Sequence, residues 1–165
     1  MLPAYVELLA ATGCRSAEVL AIRWQDVDLL ADPPTVTVAG QLIDHGVIRG
    51  KPLHRVDYRK HDSPAHTVVL PKFGVSVLTE LYAQTGPDGA VLTNRDGKWI
   101  SASNIATSLR EALKPHEGLH WVTPHSFRRS VATEVRNGMG VEAAQQQLSH
   151  AQLATTEGHY VQRVT

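Results

Sequence analysis

The sequence holds a single cysteine, Cys14, among 165 residues. One thiol cannot close an internal disulfide, so a disulfide-framed secreted domain is excluded and a reducing compartment fits. Long apolar runs are missing too. The opening MLPAYVELLAATGC has the outline of an export signal, but no Lys or Arg precedes its apolar stretch and Glu7 interrupts it. With no other segment apolar enough to span a bilayer, the expectation is a cytoplasmic chain without a membrane partner. Net charge is absent as well: 16 Lys and Arg residues stand against 16 Asp and Glu. That balance excludes nucleic-acid binding through overall basicity and leaves local asymmetry as the route. No phosphate-cradling glycine loop is visible, and His45, His54, His116, His120 and His159 have no zinc-site spacing, so neither metal nor cofactor is expected.

What remains is an ordinary globular composition, 42% hydrophobic and 19% charged, with no repeat, low-complexity tract or evident linker. One domain over residues 1–165 is expected. Charge asymmetry is concentrated at residues 49–72, where Arg49, Lys51, Arg55, Arg59, Lys60 and Lys72 face only Asp57 and Asp62, with His54, His61 and His66 among them. A solvated loop face accounts for such a run, and a track for phosphates is the alternative.

Periodicity predicts a helix over LPAYVELLAAT, a break at Thr12-Gly13 and a second helix from near Arg15. TVTV (35–38) alternates as a strand, and the span from Gln41 to Pro71 reads as antiparallel sheet ending in HTVVLP. GVSVLTELYAQT is helical, VLTNRDGKW reads as a short strand and turn, and a helix capped by Ser101 or Ser103 follows. From Phe127 onward the pattern is helical, punctuated by NGMG (137–140) and SHAQ (149–152). The fold class is α+β: mainly helices around one small three-stranded antiparallel sheet.

TPHSFRRSVAT (123–133) places His125 and Arg128 three positions apart, on one face, where a helix begins behind Thr123 and Pro124. Backbone N–H groups and the helix dipole favour an anion there, and the pair adds donors for a phosphate or carboxylate. On its own, H-x-x-R is also satisfied by a capping histidine and a surface arginine. Its company gives it weight: ATGCRSAEVLAIRWQDVDL (11–29), RKHDSPAHTVVLP (59–71) and LSHAQLATTEGHY (148–160).

In this order and spacing the four segments resemble the catalytic domain of the tyrosine recombinase, or phage integrase, family. The first is similar to the family's TG-x-R-x-x-E box and carries Arg15 and Glu18. The second resembles its lysine-bearing β-hairpin, with Lys60; His61 and His66 stand where the family often has threonine and arginine. The third fits T-P-H-x-x-R-R-x-x-A-T. The fourth fits L-G-H followed ten residues later by tyrosine, here His150 and Tyr160, with Ser149 in place of the glycine.

The resemblance implies a site-specific DNA recombinase or integrase that needs no cofactor and works through a covalent 3′-phosphotyrosine. Tyr160 would be the nucleophile. Arg15 and Arg128 would fork onto the non-bridging phosphate oxygens, His125 would donate to the phosphate or take the tyrosine proton, His150 would add a further donor, and Lys60 would protonate the leaving 5′-oxygen. Glu18 would orient Arg15 or its neighbours, and Arg49, Lys51, Arg55, Arg59, Lys72 and Arg129 would contact DNA. Double-stranded DNA is the implied partner, with a homotetramer on two recombination sites in the full-length protein, whose usual N-terminal core-binding domain is not in this sequence. Type IB topoisomerase-like nicking and closing, or a non-catalytic DNA-binding relative, are the alternatives.

Overall fold

The computed structural model describes residues 1–46, 50–140, 142, 143 and 146. Helix α1 (Leu2–Thr12) starts with Pro3 in its first turn, where a missing N–H costs nothing, and stops at Gly13, which takes φ 65°. It is the central post of the molecule. Tyr5, Leu8, Leu9 and Ala11 are buried on it, and α2 (Ser16–Val19), α3 (Lys72–Thr85), α4 (Ala102–Leu113) and α5 (Pro124–Met139) all pack against it. Gly74 of α3 makes the α1–α3 approach possible, since a Cβ there would lie 2.9 Å from the Ala11 Cβ.

Three strands, β1 (Val27–Asp28), β2 (Thr35–Val38) and β5 (His66–Val69), form an antiparallel sheet in the order β1-β2-β5. Val36 pairs with Val68, and both are turned inward and buried, while Thr37 and Thr67 face outward and share a 3.1 Å hydroxyl contact. The predicted three-stranded sheet is therefore present, but it is not the sole sheet. β3 (Gln41–Ile43) and β4 (His54–Val56) form a separate two-stranded ribbon, with Leu42 as its buried member. Gly40 sits where β2 gives way to β3, and a Cβ on it would lie 2.4 Å from the Val56 carbonyl oxygen, so the passage is too tight for a side chain.

The strand expected at VLTNRDGKW is instead a turn. The Asn94 side-chain oxygen accepts from the Asp96 and Lys98 backbone N–H groups, each at 2.9 Å, which closes the chain locally before it can pair. Among the described residues an isolated bridge to Arg23 forms just before this segment, at Ala90. The second helix is shorter than its apolar pattern suggested, because Leu20, Ala21 and Ile22 are buried in the turn that leads to the 3-10 segment Trp24–Asp26. Ser101 caps α4 as expected, and its Oγ donates to Asp44 at 2.5 Å, tying the end of β3 to the start of α4. No described helix is long and apolar enough to cross a membrane.

Candidate active site

The Thr12-Gly13 break ends α1 and aims its last carbonyls at α5. Arg128, the fifth residue of α5, donates from NH1 to the Gly13 carbonyl at 2.9 Å and is 1% exposed. A helix C-terminus carries partial negative charge, so a cation there is held by dipole as well as by the hydrogen bond. Two residues on, Arg15 caps α2 in an extended conformation. Its backbone N–H donates to Glu18 Oε2 at 3.0 Å and its NH1 to Glu18 Oε1 at 3.4 Å, leaving the side chain 27% exposed. The R-x-x-E spacing thus does locally what a capping box does: the carboxylate reaches back one turn and fixes the residue that starts the helix.

Glu18 has a second cation. Arg59 donates from Nε to the same Oε1 at 3.1 Å, and both side chains are excluded from solvent. Arg59 NH1 also donates to the Pro64 carbonyl at 2.9 Å. Between these anchor points the loop carries Lys60, exposed, in the 3-10 turn Lys60–Asp62, and the Lys60 carbonyl accepts from Ser63 Oγ at 2.9 Å. His61 and Asp62 take φ values of 60° and 52°, left-handed positions that L residues adopt at a cost.

His125 is the second residue of α5, behind a cap in which the Thr123 N–H donates to Ser126 Oγ at 3.0 Å. Its pKa is lowered from the ordinary 6.5, first by partial desolvation and then by the charges of Arg128, Arg129, Arg15 and Lys60. Cations from α5, from the start of α2 and from the β4–β5 loop therefore act on one imidazole. Cys14 lies beneath them. Burial and Glu18 push its thiol up to about 11 against the opposing pull of Arg128, the Thr12 hydrogen bond and Arg59, so it is protonated and inert at neutral pH.

Arg15, Glu18, Lys60, His125, Arg128 and Arg129 are thereby drawn to one region. Two residues expected on the DNA-contacting face are not free there. Arg59 is buried against Glu18, and Arg55 donates from Nε to the Ala21 carbonyl at 2.9 Å while its guanidinium pairs with Asp57 and lies 3.9 Å from Asp26. Each is consumed by internal acceptors that a one-dimensional charge tally does not see. Lys51 and Lys72 are exposed, and Arg129 is half-buried. Arg49, His150 and Tyr160 lie outside the described residues. The Gly13 carbonyl and the Arg59 bridge were not foreseen. The sequence signal for the second was an arginine next to the hairpin lysine with a carboxylate waiting on α2. Among the described residues no group of three or more His, Cys, Asp or Glu side chains can hold a metal ion.

This helical fold with its small antiparallel sheets is that of tyrosine recombinase catalytic domains. The Tn1549 transposon integrase in complex with transposon right end DNA matches with a TM-score of 0.81 at 17% identity, covering 98% of this chain and 54% of that one. The XerA recombinase matches with a TM-score of 0.73 at 25% identity, covering 97% and 53%. In sequence, the tyrosine recombinase XerC of Bacillus pumilus (strain SAFR-032) is 26% identical over 155 residues, 93% of this chain and 47% of that protein. The model of the phage integrase family matches residues 2–165, and the chain belongs to that family. It spans about half the length of the curated relatives it matches.

Proposed function

We propose that this chain is the catalytic domain of a site-specific DNA recombinase that cleaves and rejoins strands through a 3′-phosphotyrosine. The observation that carries the reading is the junction in which Glu18 Oε1 receives both Arg15 NH1 and the Nε of Arg59, the neighbour of Lys60, while Arg128 NH1 holds the Gly13 carbonyl two residues before Arg15, with Arg15, Lys60, Arg128 and Arg129 all acting on the His125 imidazole. Four cations crowded at one place repel one another, and a phosphodiester is the ligand that relieves them. Its charge repels nucleophiles and its alkoxide is a poor leaving group, so a catalyst must neutralise the first and protonate the second. Arg15 and Arg128 hold the non-bridging oxygens as the phosphorane-like state forms. Neutral His125 accepts the proton of the Tyr160 hydroxyl, the tyrosine oxygen bonds to phosphorus, and the bond to the 5′-oxygen breaks as Lys60 protonates it. A second strand's 5′-hydroxyl reverses the step without ATP, because the phosphotyrosine bond conserves the phosphodiester's energy. His150 adds a further donor to the same phosphate.

Lys51, Lys72 and Arg129 contact the duplex backbone, and the full-length protein works as a homotetramer on two sites in the cytoplasm, at the nucleoid. The test uses a randomised pool of nicked duplexes, in which the short fragment beyond the scissile bond diffuses away and strands the adduct. Denaturing electrophoresis should reveal a covalent protein–DNA species that Tyr160→Phe abolishes while duplex binding persists. An adduct that survives Tyr160→Phe, or none from the unmutated chain, sinks the proposal.

A further inference from the structure

Arg59 is among the largest fully buried side chains of the molecule, although it comes from a surface loop and carries a permanent charge. Its guanidinium bonds in two directions, to Glu18 Oε1 at 3.1 Å and to the Pro64 carbonyl at 2.9 Å. The first bond fastens the loop to α2. The second closes the loop upon itself across the residues that carry Lys60. Since successive Cα atoms stand about 3.8 Å apart, pinning Arg59 fixes the point from which the Lys60 side chain departs. The left-handed turn at His61 and Asp62 persists only where its surroundings over-determine it, and the Arg59 grip together with the Ser63–Lys60 hydrogen bond supplies that determination. Glu18 Oε1 also receives Arg15 NH1, so one carboxylate oxygen joins the loop of Lys60 to the arginine of the phosphate pocket.

We infer that Arg59 is a positioning residue for strand cleavage: its buried bridge to Glu18 and Pro64 sets the reach of Lys60 to the departing 5′-oxygen. The inference rests on the strand-cleavage reading and on Lys60 as its general acid. Arginine suits the task because its planar fork directs two N–H groups at two fixed acceptors, which an ammonium does less well.

The experiment measures single-turnover cleavage of a nicked duplex recovered from the randomised pool, made with either oxygen or sulfur at the scissile 5′ bridge. A thiolate leaves without a proton. On the oxygen substrate Arg59→Met should be slower than the unmutated chain by about 10²-fold, the scale of an ångström-sized misplacement. On the sulfur substrate it should approach unmutated speed, as should Lys60→Ala. In the oxygen reaction Arg59→Met/Lys60→Ala should be no slower than Lys60→Ala alone, because the first change acts through the second residue. Equal slowing of Arg59→Met on both substrates, additive losses in the double variant, or no slowing at all would overturn the inference. Should Arg59→Met lose its cooperative thermal transition, Arg59→Lys, which keeps a cation opposite Glu18, carries the same comparison. If sulfur fails to rescue Lys60→Ala itself, the general-acid assignment falls first and this inference with it. If Lys60→Ala is rescued and Arg59→Met is not, the inference alone is wrong.

Discussion

Replacing Glu18 by glutamine changes no volume and removes one charge, yet it should be among the most damaging single substitutions in the chain. The two carboxylate oxygens receive three donors: the Arg15 N–H on Oε2, and Arg15 NH1 and Arg59 Nε on Oε1. Glutamine offers one oxygen and one NH₂. If its oxygen takes the Oε1 place, the NH₂ faces the Arg15 N–H; if it flips, the NH₂ faces two guanidinium groups. In either orientation donor meets donor, and the buried Arg59 charge loses its counter-ion. Breaking a buried pair from one side costs about 3–5 kcal/mol. In a domain of this size each kcal/mol moves Tm by about 2–4 °C, so the loss is roughly 6–20 °C. Thermal melts followed by far-ultraviolet circular dichroism read it directly. Arg59→Gln should destabilise comparably, and the Glu18→Gln/Arg59→Gln pair should cost much less than the two losses together, with a coupling on the order of 1–3 kcal/mol. Additive losses, or a Glu18→Gln chain that melts with the unmutated one, would refute the account of the buried bridge.

His125 should titrate below 6.5 in the free domain, as followed by the NMR shift of its ring Cε1 proton. Added duplex should raise that midpoint by offsetting the arginine charges. Because the unfolded chain binds this proton at about 6.5 and the folded chain only at lower pH, stability should fall as pH drops from 6.5 to the folded value and then level off. His125→Asn should remove that part of the slope, and a midpoint at or above 6.5 in the free domain would contradict the cation-crowded site. Gly40→Ala should cost about 1–3 kcal/mol in denaturant unfolding, since its methyl meets the Val56 carbonyl oxygen at 2.4 Å and Arg55 NH2 at 2.6 Å, and neither can yield without parting β3 from β4 or Arg55 from Ala21. An unchanged midpoint would mean that the passage at Gly40 has room for a methyl group.

Much of the fold was legible because its signals are local. α1 runs from the residue after Met1 to the Thr12-Gly13 break that the sequence advertises, β2 is the alternating TVTV, and Ser101 caps α4. The differences arose where side chains choose partners that composition does not reveal, near in the chain at Asn94 and far from it at Arg55 and Arg59. Asn94 takes up its own backbone N–H groups, so a segment with strand-like composition becomes a turn. Arg55 and Arg59 sit in a basic run that reads as one solvated face. Only the folded chain brings the Ala21 carbonyl to one and Glu18 to the other. Arg15, Glu18, His125 and Arg128 were singled out by the resemblance of their motifs, but why Arg128 points as it does depends on a carbonyl at Gly13 that no pattern of residue types encodes.

The hydrogen bond from Arg128 to Gly13 joins residues 115 positions apart, and that from Arg59 to Glu18 spans 41. Contacts of such sequence separation close late, since the chain must give up loop entropy before they return any stabilisation. During synthesis Gly13 waits for most of the chain to be made before its partner exists. A nascent copy therefore carries Arg15 well before it carries the Arg128 that the finished fold seats on the Gly13 carbonyl. Under the proposed function, a copy in which Arg128 has not yet met the Gly13 carbonyl lacks one of the two arginines assigned to the phosphate, so cleavage waits on that closure.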